Sequence, residues 1–563
     1  MSSEARTVVV LAASLGEGAR HVPLGAARIV SSLRACSAGA GWYSAELLAA
    51  LATDDPDDLV RSVRGFRPRA AGFSLYVWNR SLLLSVSREL RRSDPELILF
   101  AGGPEATADP AGVLAEGCLD FVVAGEGEEA APAALRLLMD GTDPEGIPGV
   151  LSARGRDPGA IENLAREPVD RAMTNLALSP SPYLDGTLDI RAYGGALWEL
   201  ARGCPFACHF CYESKGCRGV RRFPDERIRA ELGAFVRAGA REVFVLDPTF
   251  NADPAKAREI LALLRREAPG IHFTFEIRSE FLDSPLVRGF AALTCSVQVG
   301  LQSSRPEVLA AVGRPGFDRK EFRRKMALLS SAGLVFGLDL IYGLPGDDLA
   351  GFRESLDFAL SLEPNHLDIF RLSVLPGTVL ADRAAGHGLE YERKPPYGVR
   401  SSPSFPARDL DRAEALAKAT DLFYSRGRAV GWFRAVLGPL RTPPSVFLEG
   451  ISAREEGLRH AEIQTFQLET LAAAYRSAGA ESLFPAARDL VTLHGAWSRA
   501  LAEGESTRLR LSRHPDDLFG PASRDLARLA RSLPESPGGW LVRPGDDGPV
   551  VEPLGRQPRG ASG

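Results

Sequence analysis

The segment Arg202-Gly-Cys204-Pro-Phe-Ala-Cys208-His-Phe-Cys211-Tyr212 holds three of the chain's seven cysteines. Thiolates at spacings of four and three residues can bind one side of a compact metal centre, whereas a 4Fe–4S cluster commonly takes four. One iron would then stay open for another ligand. A structural zinc ion with His209 as fourth ligand is the alternative, but His209 stands between two of the cysteines and is poorly spaced for a tetrahedral site.

Short apolar segments alternate with helix-length segments on both sides of these cysteines. Residues 1–145 predict a Rossmann-like, doubly wound parallel α/β sheet, with strands near 7–13, 70–77, 97–101 and 121–124. Residues 146–190 read as a Pro-containing linker, and six strands over 191–385 predict a partial (β/α)6 barrel. Amphipathic patterns over 386–563 predict a mostly helical domain, whose last twenty or so residues, rich in Pro, Gly and charge, are expected to be disordered.

The composition excludes several classes of partner. The chain has 563 residues and a net charge of −5, so no basic excess points to nucleic acid. No apolar run approaches the ~18 residues of a membrane helix, and the N-terminus lacks a signal-peptide pattern. We therefore expect a cytoplasmic protein with neither a membrane nor a nucleic-acid partner.

With the aromatic Phe210 before its last cysteine, the cysteine segment resembles the radical SAM superfamily, in which S-adenosylmethionine (SAM) binds the open iron. Later segments resemble the family's strand ends: Val245-Leu-Asp247-Pro, Phe275-Glu276-Ile-Arg278, Gly300-Leu-Gln302-Ser, Asp339 to Gly346 and Leu375-Pro-Gly377. The resemblance implies one 4Fe–4S cluster on Cys204, Cys208 and Cys211, and SAM contacts from Phe210, Asp247, Glu276, Arg278 and Gln302. Asp247 stands where many members carry a Gly-Gly-Glu segment, which this chain lacks.

Four loops of residues 1–145 resemble the cobalamin-binding members of that superfamily, although any flavodoxin-like domain could carry similar ones. Glycines at strand ends let the backbone approach a broad ligand such as a corrin. The residues that the resemblance places at cobalamin are Ser14, Leu15, Gly16, Pro23, Leu24, Gly25, Arg69, Ser74, Tyr76, Trp78, Asn79, Gly102, Gly103, Pro104, Glu105, Gly125, Glu126, Gly127 and Glu128.

The lower face of cobalt is expected to lack a histidine ligand. The only histidine in residues 1–145 is His21, and it is not part of the Asp-x-His-x-x-Gly motif that many cobalamin proteins use. Arg69, Tyr76 and Trp78 are the candidates to face the metal instead.

The resemblance implies a methyltransferase that passes a methyl group from SAM to cob(I)alamin and then to the substrate, with an electron donor if cob(I)alamin must be regenerated. The domain plan is most similar to the tryptophan 2-C-methyltransferases of thiopeptide antibiotic biosynthesis. We therefore expect a small aromatic amino acid as substrate, tryptophan methylated at carbon 2; the catalytic base is not identified. A non-methylating member that closes or contracts a ring, and a non-catalytic cobalamin or redox sensor, are the alternatives.

The remaining cysteines argue against a second cluster. The first domain has only Cys36 and Cys118, and no cysteine follows Cys295. Cys217 and Cys295 are expected to be ordinary residues.

Overall fold

The computed structural model describes residues 6–37, 43–116, 118–144, 146–153, 173, 175–213, 219–451, 457–532, 535–546 and 548–554. The strands are β1 Arg6–Ser14, β2 Tyr43–Leu51, β3 Ala70–Ser74, β4 Ile98–Gly102, β5 Phe121–Val123, β6 Val150–Ser152, β7 Gly195–Trp198, β8 Ala201–Arg202, β9 Arg221–Arg222, β10 Glu242–Val245, β11 His272–Ile277, β12 Cys295–Gln302, β13 Val335–Tyr342, β14 His366–Arg371, β15 Glu390–Tyr391, β16 Val399–Ser401, β17 Thr507–Leu511, β18 Gly538–Arg543 and β19 Val550–Pro553.

The α-helices are α1 Leu24–Ser37, α2 Pro56–Gly65, α3 Arg80–Ser93, α4 Pro104–Ala108, α5 Pro110–Ala115, α6 Gly127–Met139, α7 Ile190–Tyr193, α8 Asp225–Ala238, α9 Pro254–Glu267, α10 Ser284–Ala291, α11 Pro306–Ala311, α12 Arg319–Ser331, α13 Leu349–Leu360, α14 Val379–Arg383, α15 Ala407–Thr420, α16 Phe433–Leu437, α17 Pro444–Glu449, α18 His460–Ser477, α19 Phe484–Glu503, α20 Pro515–Phe519 and α21 Leu526–Ser532.

The first sheet has the order β2-β1-β3-β4-β5-β6, and its first five strands are parallel. Separate apolar clusters cover its two faces, which confirms the predicted doubly wound sheet. The strand order reverses between β1 and β3, so the carboxyl ends of these two strands form the crevice where such folds bind ligands.

Two strands of this sheet differ from the sequence prediction. β2 was not predicted, because Tyr-Ser-Ala-Glu-Leu-Leu-Ala-Ala-Leu is rich in helix-forming residues; pairing with β1 over nine residues overrides that preference. β6 pairs antiparallel with β5, so the sheet runs past the predicted domain boundary at residue 145 into the segment expected to be a linker.

The second sheet has the order β14-β13-β12-β11-β10-β7, and all neighbouring strands are parallel. The strands alternate with helices, as predicted for a partial barrel. In the described part of the chain the edge strands β7 and β14 do not pair with each other, so the barrel is open.

The C-terminal region is mostly helical, as predicted, and shares one apolar core with the barrel. It also contains the antiparallel sheet β17-β18-β19, which was not predicted. β19 lies within the tail expected to be disordered; residues 555–563 of that tail lie outside the described residues. Among the described helices, none has both the length and the apolar character needed to cross a bilayer.

Candidate functional site: two adjoining cavities

The three cysteines predicted to bind the cluster meet at one small cavity. Strand β8 leads through Gly203, whose φ of +90° favours glycine, directly into Cys204. Cys204, Cys208 and Cys211 line a cavity of about 150 Å³, and Sγ of Cys204 lies 3.9 Å from Oγ1 of Thr249. The structure therefore brings together the thiols that the spacing predicted.

His209 does not belong to this cavity. Its ring packs against Gly313, where a Cβ atom would lie 2.5 Å from the ring, and it is not among the lining residues. No three His, Cys, Asp or Glu side chains of the described residues are placed to hold a single metal ion. Three thiols around one cavity suit a cluster, whose iron atoms each take one thiolate, better than zinc.

Four of the five residues predicted to contact SAM line the same cavity: Phe210, Glu276, Arg278 and Gln302. The Arg278 guanidinium lies 3.7 Å from the centre of the Phe206 ring, and its Nε donates to Glu280 at 3.1 Å. The cavity wall thus places an aromatic ring, a carboxyl group, a guanidinium and a side-chain amide next to the three thiols.

Asp247, the fifth residue predicted to contact SAM, does not line this cavity, and its carboxylate faces the backbone instead. Oδ1 accepts hydrogen bonds from the N–H groups of Leu200 and Ala201 at 2.9 and 3.0 Å. The side chain is only 4% exposed, and burial raises its pKa to about 7. Asp247 therefore fixes the backbone that leads to Cys204.

Sequence reasoning missed several further residues of the cavity wall, among them Thr249, Arg314 and Asp339. Arg314 donates from Nη2 to the carbonyl of Gly300 at 2.5 Å, and Asp339 accepts from the Gln298 amide. Asp339 stands within a segment that resembles one of the family's strand ends and Thr249 directly follows another, so that resemblance could have identified them.

The acidic groups of the wall resist ionisation. Burial, reinforced by the nearby Asp339 and Asp368, raises the pKa of Glu276 to about 8. Burial likewise raises the pKa of Asp339 to about 6, although its hydrogen bond from Gln298 acts in the opposite direction. Both carboxyl groups therefore titrate closer to neutral pH than ordinary carboxyl groups do.

A second cavity, of about 1310 Å³, lies between the first domain and the barrel. The predicted cobalamin contacts that line it are Ser14, Leu15, Pro23, Leu24, Gly25, Ser74, Tyr76, Trp78, Asn79, Gly102, Gly103, Pro104, Gly125, Glu126, Gly127 and Glu128. Most of these residues follow the carboxyl ends of β1, β3, β4 and β5. The cavity therefore occupies the crevice at the reversal of strand order.

The volume of this cavity and its extension beside the sheet suit a corrin with a long tail. Val10, Ala12 and Phe100 also line it, so it reaches between the sheet and the helices that cover it. A Cβ atom at Gly102 would meet only ordinary contacts, at 3.7 Å and beyond, and its absence widens the cavity. At Gly25 a Cβ atom would lie 3.0 Å from the Tyr76 hydroxyl, so a larger residue would crowd the wall.

Three predicted cobalamin contacts do not line the cavity. Arg69 precedes β3 at its amino end, whereas the cavity lies at the carboxyl end, beyond Ser74. Because a strand rises about 3.3 Å per residue, Arg69 is at the wrong edge of the sheet to face cobalt. Glu105 is buried against Arg80 and Tyr397, and Gly16 packs under the ring of His21.

Tyr76, Trp78 and His21 remain in the cavity. The Tyr76 and Trp78 rings stack with centroids 4.5 Å apart, and the carbonyl of Ala13 accepts both Trp78 Nε1 and Asn79 Nδ2. The loop after β3 is therefore fixed to the end of β1. His21 lines the cavity as well, with its Nε2 edge against Gly16.

Sequence reasoning missed the barrel residues that close the large cavity, among them Glu199, Arg202, Tyr212, Glu213 and Arg221. Pro248 lines both cavities, and Gly203, next to Cys204, lines the larger one. The two cavities therefore adjoin at the loop that carries the first cysteine.

Two family models match the chain: the radical SAM superfamily over residues 198–359 and the B12 binding domain over residues 15–135. The cobalamin-dependent radical SAM methyltransferase TokK of Streptomyces tokunonensis is 28% identical over 60% of this chain and 50% of its own length. The 2-(S-pantetheinyl)-carbapenam-3-carboxylate methyltransferase of Streptantibioticus cattleyicolor is 29% identical over 57% and 50%. The chain thus spans about half the length of these relatives.

The radical SAM methyltransferase TsrM from Kitasatospora setae, solved with cobalamin and a [4Fe-4S] cluster, has a similar fold. The TM-score is 0.60 at 16% identity, over 84% of this chain and 100% of that one. A structure of TsrM with tryptophan substrate and a SAM analogue gives 0.57 at 18% identity, over 72% and 81%.

The middle of the chain is therefore similar to the radical SAM superfamily, and its first domain is similar to the B12 binding domain. In combining these two regions the chain is similar to the cobalamin-dependent radical SAM methyltransferase TokK.

Proposed function

We propose that the chain is a C-methyltransferase that acts on a small molecule in natural-product biosynthesis. The observation that carries this proposal is the adjacency of the two cavities at Pro248 and the Gly203–Cys204 loop. A ligand on the open iron and a corrin in the larger cavity would face the same space. The methyltransferases among the chain's relatives support the same reaction class.

When bound, the cluster and SAM supply a methyl donor or a deoxyadenosyl radical, and cobalamin carries the methyl group. The chain contributes the three thiols, the Arg278 and Phe210 side of the SAM cavity, and a pair of carboxyl groups. Burial raises the pKa of both Glu276 and Asp339 toward neutrality, so each can take up or release a proton near neutral pH. These two residues are the candidates for proton transfer during the reaction.

Tyr76 and Trp78 are the candidates for the lower face of cobalt. Burial raises the pKa of Tyr76, so its phenol stays neutral, and the indole nitrogen of Trp78 is a donor only, already bonded to Ala13. Neither group is suited to ligate cobalt. Two stacked rings at this position would instead limit the access of water to the metal.

Tryptophan, methylated at carbon 2 of the indole, is the substrate proposed from the domain plan, and TsrM, of similar fold, was solved with tryptophan. An indole carbon can attack a methyl group directly, so no deoxyadenosine need form. A second candidate is a pantetheinylated carbapenam, because the relative from Streptantibioticus cattleyicolor, which is 29% identical, is named for that substrate. An sp³ carbon needs hydrogen abstraction first, and also a low-potential electron donor.

Incubation of the anaerobically reconstituted protein with methyl-labelled SAM and each candidate tests the proposal. Labelled methyl in the substrate, detected by mass spectrometry, supports it, and the ratio of deoxyadenosine to product separates the polar from the radical route. Deoxyadenosine without any methylated product would favour a non-methylating enzyme. Absence of SAM consumption with every substrate would favour a cobalamin or redox sensor.

A further inference from the structure

Arg202, two residues before Cys204, joins the cluster loop to the cobalamin-binding domain. Its Nη2 donates to Oε1 of Glu128 at 2.6 Å, and its Nη1 lies 3.5 Å from Oε2 of Glu126. Both carboxylates belong to the segment after β5 that lines the large cavity. The Arg202 side chain is 11% exposed and the Glu128 side chain 5%, so this contact is shielded from solvent.

Two further ion pairs cross the same boundary. Arg28 of α1 lies 2.6 Å from Glu199 of the barrel, and Arg221 of β9 lies 2.6 Å from Glu126. Glu199 also accepts from Arg202 at 3.2 Å, which links the pairs into one cluster. We call these six residues, Arg28, Glu126, Glu128, Glu199, Arg202 and Arg221, the interdomain ion cluster.

The interdomain ion cluster is neutral and remains ionised. It contains three guanidinium and three carboxylate groups. The first domain contributes Arg28, Glu126 and Glu128, and the barrel contributes Glu199, Arg202 and Arg221. Although burial acts to raise it, Arg28 and Arg202 lower the pKa of Glu199 to about 2. Buried charges are tolerated only when they are paired, so a shift of one domain against the other would leave charges without partners.

We propose that Arg202 is a positioning residue that sets the separation of the two cofactor sites. Its guanidinium contacts Glu126 and Glu128 of the first domain, which line the large cavity, while its backbone leads into the loop that carries Cys204. The spacing between the cluster and the corrin is thus fixed by charge-assisted hydrogen bonds whose geometry is well defined. This inference rests on the methyl transfer proposed above, because only a transfer between two cofactor sites requires a fixed spacing.

The test uses Arg202→Met, Arg202→Lys and Glu128→Gln in the full chain, with Arg229→Met as matched control. Arg229 forms an exposed pair with Glu267 at 3.1 Å, and both residues of this pair belong to the barrel. The first measurement is the microwave power that half-saturates the cob(II)alamin resonance, with the cluster reduced and with the cluster oxidised. A reduced cluster nearby speeds the relaxation of the cobalt spin, and this effect falls steeply with distance. The second is amide hydrogen exchange of residues 121–128 and 197–204 in the cofactor-free protein.

In Arg202→Met and Glu128→Gln, compared with the wild type at equal iron and cobalamin loading, we expect a half-saturation power that moves toward the value with the oxidised cluster. Exchange of both segments should rise at least about tenfold, with Arg202→Lys intermediate. Methylated product should fall about 100-fold, the loss that a misplacement of about 1 Å can cause. A purely stabilising role would lower the unfolding midpoint and leave the saturation of the folded protein unchanged.

Wild-type saturation and exchange in Arg202→Met would overturn the proposal. If that variant does not fold, Glu128→Gln removes the negative charge from the same contact on the side of the first domain, and wild-type values there overturn the proposal equally. Neither measurement needs a substrate. A protein that yields no methylated product therefore refutes the proposed function, whereas unchanged cobalt relaxation refutes the positioning role.

Discussion

Replacing Asp247 by alanine should release the backbone that leads into the cluster loop. The carboxylate accepts two N–H groups, those of Leu200 and Ala201, and all three residues are buried. A buried N–H left without an acceptor costs about 1–3 kcal/mol, so the loss of both hydrogen bonds costs about 2–6 kcal/mol. A domain is stable by only about 5–15 kcal/mol, so this loss is a large share of the free energy of unfolding.

The assay is iron per chain after anaerobic reconstitution, together with the urea midpoint of the cofactor-free protein. We expect Asp247→Ala to lower both. Asp247→Asn keeps an oxygen acceptor at the same position, so its iron content should stay near that of the wild type. Asp253→Ala is the surface control: Asp253 caps α9 and is half exposed, and its loss should cost about 1 kcal/mol without affecting iron.

A wild-type iron content and urea midpoint in Asp247→Ala would refute the reasoning, because the two hydrogen bonds would then carry no energy. Equal iron losses in Asp247→Ala and Asp247→Asn would also contradict it. In that case the negative charge, and not the acceptor oxygen, would be the property that matters.

Four further outcomes are expected. Replacing all three cluster cysteines by alanine should remove the iron, and about eight irons per wild-type chain would contradict a single cluster. Gly102→Phe should place a ring in the large cavity and abolish cobalamin binding while iron is retained. Gly102→Ala, for which there is room, should bind both cobalamin and iron. The electron paramagnetic resonance of cob(II)alamin should show no axial nitrogen splitting, and a triplet that disappears in His21→Ala would identify His21 as a ligand. Burial raises the pKa of Glu276 to about 8, so the stability that its bound proton contributes is complete below pH 4.5 and is lost as the pH rises through 8. The urea midpoint of the cofactor-free protein should therefore fall less between pH 4.5 and pH 8 in Glu276→Gln than in the wild type.

The sequence predicted those features that depend on neighbouring residues. The cysteine spacing identified the cluster loop, and the structure places all three thiols at one cavity. Alternating apolar and helical segments predicted both parallel sheets, because the hydrophobic period is a property of consecutive residues. Most of the residues named from the resemblance of short strand-end segments line one of the two cavities, since parallel strands bring their carboxyl ends to one edge.

The partner of a side chain was not predictable in the same way. Asp247 and Glu105 stand in the loops expected to bind cofactors, but Asp247 faces a backbone and Glu105 faces Tyr397, which is 292 residues away in sequence. Arg69 illustrates the same limit: its distance along β3 decides which edge of the sheet it occupies, and that depends on where the strand begins.

The contact between the two domains was decided by tertiary structure alone. Arg28 and Glu199 are 171 positions apart, and nothing in their local sequence relates them. Ion pairs of this kind form only when two separately folded surfaces meet, because their energy depends on distances of a few ångströms that no local pattern encodes. Sequence by itself thus determined the chemistry of each cavity, and tertiary structure decided how the two cavities face each other.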